Sequence, residues 1–168
     1  MRDASGARWL WLSLAAVAAD RFTKRLIETR TTDSFSYSVI SDVVTLVHSR
    51  NPGIAFGMFS DSPPEWLKLL LIIGAFAVIL LLSWLLATNH VSGVPARAGI
   101  ALIIGGAAGN TFDRLAYGAV TDFFYVRIGS YHWPAFNVAD SVIFIGAALI
   151  LLQMFFADRQ SRPARSAP

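Results

Sequence analysis

The chain has 168 residues, of which 55% are hydrophobic and 15% charged, against roughly 25% charged in an average soluble domain, and its mean hydropathy is +0.53. That size predicts one domain, and the composition disfavours both a disordered chain and an ordinary soluble globule. Cysteine is absent and the net charge of +3 comes from 14 scattered basic residues, which excludes disulfides, thiolate metal sites and cysteine nucleophiles and argues against a nucleic-acid surface.

A helix that crosses a bilayer needs ~20 mostly apolar residues. The first candidate, Trp9 to Ala19, is short, so crossing requires the helix to run on through Asp20 towards Ile27, predicting a helix over about 9–27. Arg2 and Arg8 before it and Ala16-Val17-Ala18 near its end also suit a cleavable signal peptide. An outer loop over about 28–66 follows. In it Ser34 to Val39 alternates polar with apolar and Val43 to His48 is β-branched, so both read as strands. Asn51, Gly53 and Gly57 suit a loop whose backbone must approach another chain closely, with simple turn chemistry as the plain alternative for Asn51. Asp61-Ser62-Pro63-Pro64 closes the loop as a turn.

Leu69 to Ala87 is nineteen uncharged residues behind Trp66 and Lys68, predicting a second helix over about 67–88. Ala98 to Phe112 is uncharged for fifteen residues before Asp113-Arg114, predicting a third over about 97–116. In the next outer loop, about 117–137, Val120 to Val126 is strand-like and Tyr131-His132-Trp133-Pro134 reads as an aromatic interface anchor. Ser141 to Ala157, seventeen uncharged residues after Asp140, predicts a fourth helix over about 138–157. The tail from Ser161 to Pro168 reads as a disordered end.

The expected fold is therefore a mainly α membrane protein, a single integral membrane domain over 1–168 with four transmembrane helices and a small extracytoplasmic β-sheet. Four crossings return both tails to one side, where Arg2, Arg8, Arg97, Arg159, Arg162 and Arg165 lie, whereas loops 28–65 and 115–137 hold only Arg30, Arg50 and Arg127. Basic residues mark the cytoplasmic side, so both ends read as cytoplasmic. Arg21, Lys24 and Arg25, at the outer end of the first helix, partly oppose that bias.

Ionisable residues at membrane depth cost roughly 2.5–3.5 kcal/mol each on insertion scales and need a partner or a function. Asn110, Asp113 and Arg114 are spaced i, i+3, i+4 on one helical face. An interfacial Asp–Arg pair that ends the helix is the plain reading. Asn137 is placed as N-cap of the fourth helix and Asp140 at its third position, where the helix dipole favours an acid. Asp122 is different, an acid among apolar and aromatic neighbours in a strand. Two carboxylates brought together share one proton, so one serves as base and the other as acid, enough to activate water against an amide without metal or covalent intermediate. His48, His90 and His132 are isolated, and no H-E-x-x-H, G-x-S-x-G or S-x-x-K motif is present.

Five boxes in order, Asp20-x-x-x-Lys24, Asn51-Pro52-Gly53-Ile54-Ala55-Phe56-Gly57, Gly109-Asn110-Thr111-Phe112-Asp113-Arg114, Val120-Thr121-Asp122-Phe123 and Phe136-Asn137-Val138-Ala139-Asp140, resemble the lipoprotein signal peptidase (signal peptidase II) family of aspartyl proteases of the bacterial inner membrane. The resemblance implies a catalytic dyad of Asp122 and Asp140, substrate binding by Asn51, Gly53, Asn110, Asp113, Arg114 and Asn137, and a structural role for Asp20 and Lys24, whose i, i+4 spacing independently suits a helical ion pair. Arg21 stands where relatives often carry Gln. It further implies, as substrate and partner, a prolipoprotein cut just before a diacylglyceryl-modified cysteine, with the active site near the outer face. Membrane lipids are expected as surroundings, the protein is expected to be a monomer, and no metal, cofactor or nucleic acid is implied. The rival reading is a small proton-coupled carrier using the same acids as a relay. Against it, the acids cluster near one surface and the middle of the second helix has no polar group.

Overall fold

Four long helices carry the chain. The computed structural model describes residues 6–53 and 64–161. A 3-10 turn over Gly6–Trp9 leads into α1, Leu10–Arg30. The others are α2, Glu65–Ala87, α3, Val94–Tyr117, and α4, Val138–Ser161. They run 21 to 24 residues, about 32–36 Å at 1.5 Å per residue, enough for a hydrocarbon core of ~30 Å. Each predicted helix is present, with no end moved by more than four residues. α3 stops at Gly118, whose φ of +74° needs no Cβ and lets its N–H reach back to Arg114 O at 3.1 Å.

The expectation of four crossing helices meets a test of length and apolar composition at two: α2 and α4 over Val138–Phe156, with mean hydropathy 2.9 and 2.1. α1 differs because its second half carries Asp20, Arg21, Lys24, Arg25 and Glu28. α3 differs because it is built of Gly and Ala and ends on Asp113-Arg114. Those residues are spent on packing. α3 is the central helix, in contact with all three others, and small residues let backbones meet. A Cβ on Gly99 would lie 2.5 Å from Gly146 O, one on Gly106 2.4 Å from Ala139 O, and one on Gly105 2.7 Å from Ser13 O. Leu86, Ile100, Ala101 and Ile104 form the buried core. Ile73, Leu80, Leu81 and Phe144 face outwards and are more than half exposed, a surface that water would not tolerate over such an area.

The sheet caps one end of the bundle. Its antiparallel order is β1 (Ser36–Ile40), β2 (Val44–Asn51), β3 (Val120–Ile128) and β4 (Tyr131–Phe136). The first three answer to the predicted strand-like runs. The fourth corrects the sequence reading: Tyr131 to Pro134 is part of an edge strand paired with β3, a position that tolerates Pro134 because an edge N–H needs no partner. At the opposite end of the bundle the Gly6 N–H donates to Asn89 Oδ1 at 2.9 Å and Gly93 abuts Gln153, so the described start of the chain and the second half of α4 both meet the connection between α2 and α3. Ile54 to Gly57 of the second box, Asp61 to Pro63 of the predicted turn, and tail residues 162–168 lie outside the described residues.

Candidate active site

The first turn of α4 builds half of the site. Asn137 Oδ1 accepts from the Asp140 N–H at 3.0 Å, and Asp140 Oδ2 accepts from the Asn137 N–H at 3.2 Å, a reciprocal capping arrangement. Helix capping thus accounts for both residue types, yet it leaves atoms over. Asn137 Nδ2 donates to Asp122 Oδ1 at 2.7 Å, and Asp140 Oδ1 accepts from Asn110 Nδ2 at 2.8 Å. Asp122 enters from β3, where it lies opposite Ser49 of β2. Its second oxygen accepts from Asn51 Nδ2 at 3.1 Å, while Asn51 Oδ1 accepts from the Gly53 N–H at 3.0 Å. Turn chemistry at Asn51 is real, and its amide nitrogen still serves the carboxylate.

Asn137 therefore touches both acids. Asp122 is 3% exposed. Burial first, and the charge of Asp140 second, raise its carboxyl from 3.8 to about 7, against the opposing pull of the Asn51 and Asn137 amides and Lys24. A buried acid beside a second acid keeps its proton.

Beneath the acids lies a fully buried ammonium. Lys24 Nζ is 2.7 Å from Asp20 Oδ2, 2.8 Å from Asp113 Oδ2 and 2.9 Å from Asn110 Oδ1, one acceptor for each of its three donors. By holding the oxygen of Asn110, Lys24 turns the amide nitrogen towards Asp140. Asp20 Oδ1 accepts the Ala139 N–H at 2.9 Å, so it also steadies the start of α4. The close fit of Gly109 makes room: a Cβ there would lie 2.6 Å from Asp20 Oδ2. The predicted i, i+4 pair is present, but it is buried and reaches two further helices.

One sequence reading is corrected here. Among the described residues Asp113 and Arg114 form no ion pair, because neighbouring helical side chains point about 100° apart. Asp113 turns to α1, where Lys24 and Arg21 hold it, and is fully buried. Arg114 instead donates to Gly53 O at 3.2 Å and to Asn110 O at 3.3 Å. What local sequence could not reveal is Arg21, which bonds Asp113, and Glu28, which accepts from Thr121 Oγ1 at 2.8 Å, one residue before Asp122. No spacing within one helix encodes such partners.

The two acids stand at the polar end of a groove of about 840 Å³ that Asn51, Asn110 and Arg114 also line. Its length is apolar, walled by Val126, Trp133 and Phe136 of the sheet and by Ile143 and Phe144 of α4. The profile of the signal peptidase (SPase) II family matches residues 12–156, a stretch that holds all five boxes. The chain belongs to the signal peptidase II family. It is 41% identical over 156 residues to the lipoprotein signal peptidase of Solibacter usitatus, covering 92% of this chain and 95% of that one. Against the lipoprotein signal peptidase of Aeromonas hydrophila it is 41% identical over 159 residues, covering 93% of each. A solved bacterial membrane enzyme, determined in meso at 2.3 Å, superposes with a TM-score of 0.82 at 26% identity over 95% of this chain and 94% of that one. A second, at 1.9 Å, gives 0.77 at 26% identity over 88% and 92%. A signal peptidase II chain is a protease, and the apolar α2 and α4 suit the membrane setting of these solved relatives.

Proposed function

We propose that this signal peptidase II chain is an aspartic endopeptidase that removes signal peptides from prolipoproteins, cutting just before the diacylglyceryl-modified cysteine with Asp122 and Asp140 as its dyad. The observation that carries the reading is the pair of acids bridged by Asn137 at the polar end of an apolar groove. Below about pH 7 Asp122 holds a proton and Asp140 serves as base. Asp140 takes a proton from water as the water oxygen attacks the carbonyl before the cysteine, and the Asp122 proton passes to the carbonyl oxygen. When the tetrahedral intermediate collapses, the C–N bond breaks and the nitrogen leaves with the proton Asp140 had taken. Asp122 regains its proton from the hydroxyl as the carbonyl re-forms. The products are a signal peptide carboxylate and a lipidated cysteine with a free amine.

In this reading Asn51, Gly53, Asn110, Arg114 and Asn137 hold the peptide, Arg114 through its planar fork of donors. Asp113, Asp20 and Lys24 hold Asn110 and α4 in place. The acyl chains follow the apolar groove into lipid. All four helices cross the inner membrane as one domain with both ends cytoplasmic, and the sheet puts the acids at the outer face, the depth at which a doubly acylated residue presents its amide.

Incubating the purified protein in detergent with a diacylglyceryl-modified prolipoprotein, and separately with the same precursor unmodified, tests the substrate. The expected result is a shortened product from the lipidated precursor alone. Equal cleavage of both precursors, or of neither, would contradict it.

A further inference from the structure

Arg21 lies at the junction of α1 and α3, with its side chain 19% exposed. Its guanidinium packs beside two edge-to-face rings of α3, 5.1 Å from the Phe112 centroid and 5.3 Å from that of Tyr117, a contact that suits a planar cation. One branch bonds Asp113 Oδ1. The other lies 3.4 Å from Glu28 Oε2. From these two acids the contacts run towards the two carboxylates of the dyad and meet at Asn137. Asp113 joins Lys24, Lys24 holds Asn110, and Asn110 donates to Asp140. Glu28 accepts from Thr121, the residue before Asp122, and Thr121 O in turn accepts from Asn137 Nδ2 at 3.4 Å.

We infer that Arg21 is a positioning residue for both acids, bracing the support of Asp140 through Asp113 and the support of Asp122 through Glu28. The inference rests on the aspartic dyad proposed above. Two features favour placement over bulk stability. The fork reaches two acids with different onward partners, and the Phe112 and Tyr117 rings pack against it. The charges that face this junction are Asp20, Lys24 and Glu28 of α1, Asp113 and Arg114 of α3, Asp122 of β3 and Asp140 of α4. Among the described residues, removing the Arg21 charge leaves Asp20 and Asp113 with Lys24 as their one cation and Glu28 with none, and makes proton release near the dyad harder.

The test compares cleavage of a lipidated prolipoprotein across pH, per folded molecule in the monodisperse detergent fraction. For Arg21→Gln, kcat is expected to fall roughly ten- to a hundredfold, the scale of a small misplacement at the reacting centre, and the pH midpoint to move upwards. KM is expected to hold within about twofold. Arg21→Lys keeps the charge and loses the fork, so its midpoint stays while kcat falls in part. Thr121→Val breaks only the Glu28 branch and is expected to lower kcat at an unchanged midpoint, which tests the inference even if Arg21→Gln fails to fold. Arg25→Gln, an exposed cation of the same helix, is expected to change neither. Wild-type kcat and midpoint in Arg21→Gln would overturn the inference, as would an equal shift in Arg25→Gln or, where Arg21→Gln does not fold, an unaltered Thr121→Val. The dyad reading fails separately, if Asp140→Asn still cleaves.

Discussion

Asp122 is costly where it stands. Its strand neighbours are apolar, it is buried, and its carboxyl is raised from 3.8 to about 7 by burial and by Asp140. A raised acid stabilises the fold least when ionised, so this contribution is full below pH ~3.9, the unfolded value, and is lost as pH rises to about 7. Thermal unfolding in detergent should show wild type losing stability relative to Asp122→Asn over that window, at up to about 1.4 kcal/mol per pH unit, and equal slopes within it would contradict the assignment. Cleavage should likewise decline above pH 7 as the proton of Asp122 is lost. The oddity of this acid was legible in the sequence because strand propensity gave no reason for it. Taken residue by residue, Asn137 and Asp140 read as caps, since capping explains their types, and only the order of the five boxes pointed beyond that. The role of Lys24 was hidden for the same reason: an i, i+4 partner satisfied the local reading, while Asn110, 86 residues away, left no trace in the spacing.

Helix positions were readable from apolar runs, because each run needs only its own residues. The pairing of helices was not, since it depends on which glycine meets which backbone. Gly106 is decisive for the site: its missing Cβ gives room for Ala139 O in the first turn of α4, between Asn137 and Asp140. Gly106→Val is expected to lower stability by ~1–3 kcal/mol through overpacking and to lower turnover per folded molecule as well, because α4 must shift. Gly74 of α2 meets nothing within 4 Å, and Gly74→Ala is expected to raise stability by roughly 0.5–1 kcal/mol with turnover unchanged. Unfolding midpoints with cleavage rates separate the two, and a stable, active Gly106→Val would contradict this packing. β4 escaped sequence reading because Pro134 and three aromatic or polar neighbours mimic an interface anchor, and only pairing with β3 reveals a strand.

For the molecule as a whole, the polar ends of α1, α3 and α4 meet the sheet at one end of the bundle, while the opposite end joins Gly6 to Asn89 and Gly93 to Gln153. If all four helices cross, reporters fused after Pro168 and after Tyr37 should read cytoplasmic and extracytoplasmic respectively, and matching readings would contradict the topology. Charge asymmetry gave that orientation, yet α1 could not be distinguished by composition from a signal peptide because its polar half is satisfied only by contacts with α3 and α4. The order of the five boxes carried what composition could not. The most direct measurement is turnover of a lipidated prolipoprotein per folded molecule for Asp122→Asn and Asp140→Asn. Each amide keeps the size of the acid and loses its proton exchange, so each should bind substrate and abolish cleavage, and wild-type turnover in either variant would contradict the dyad.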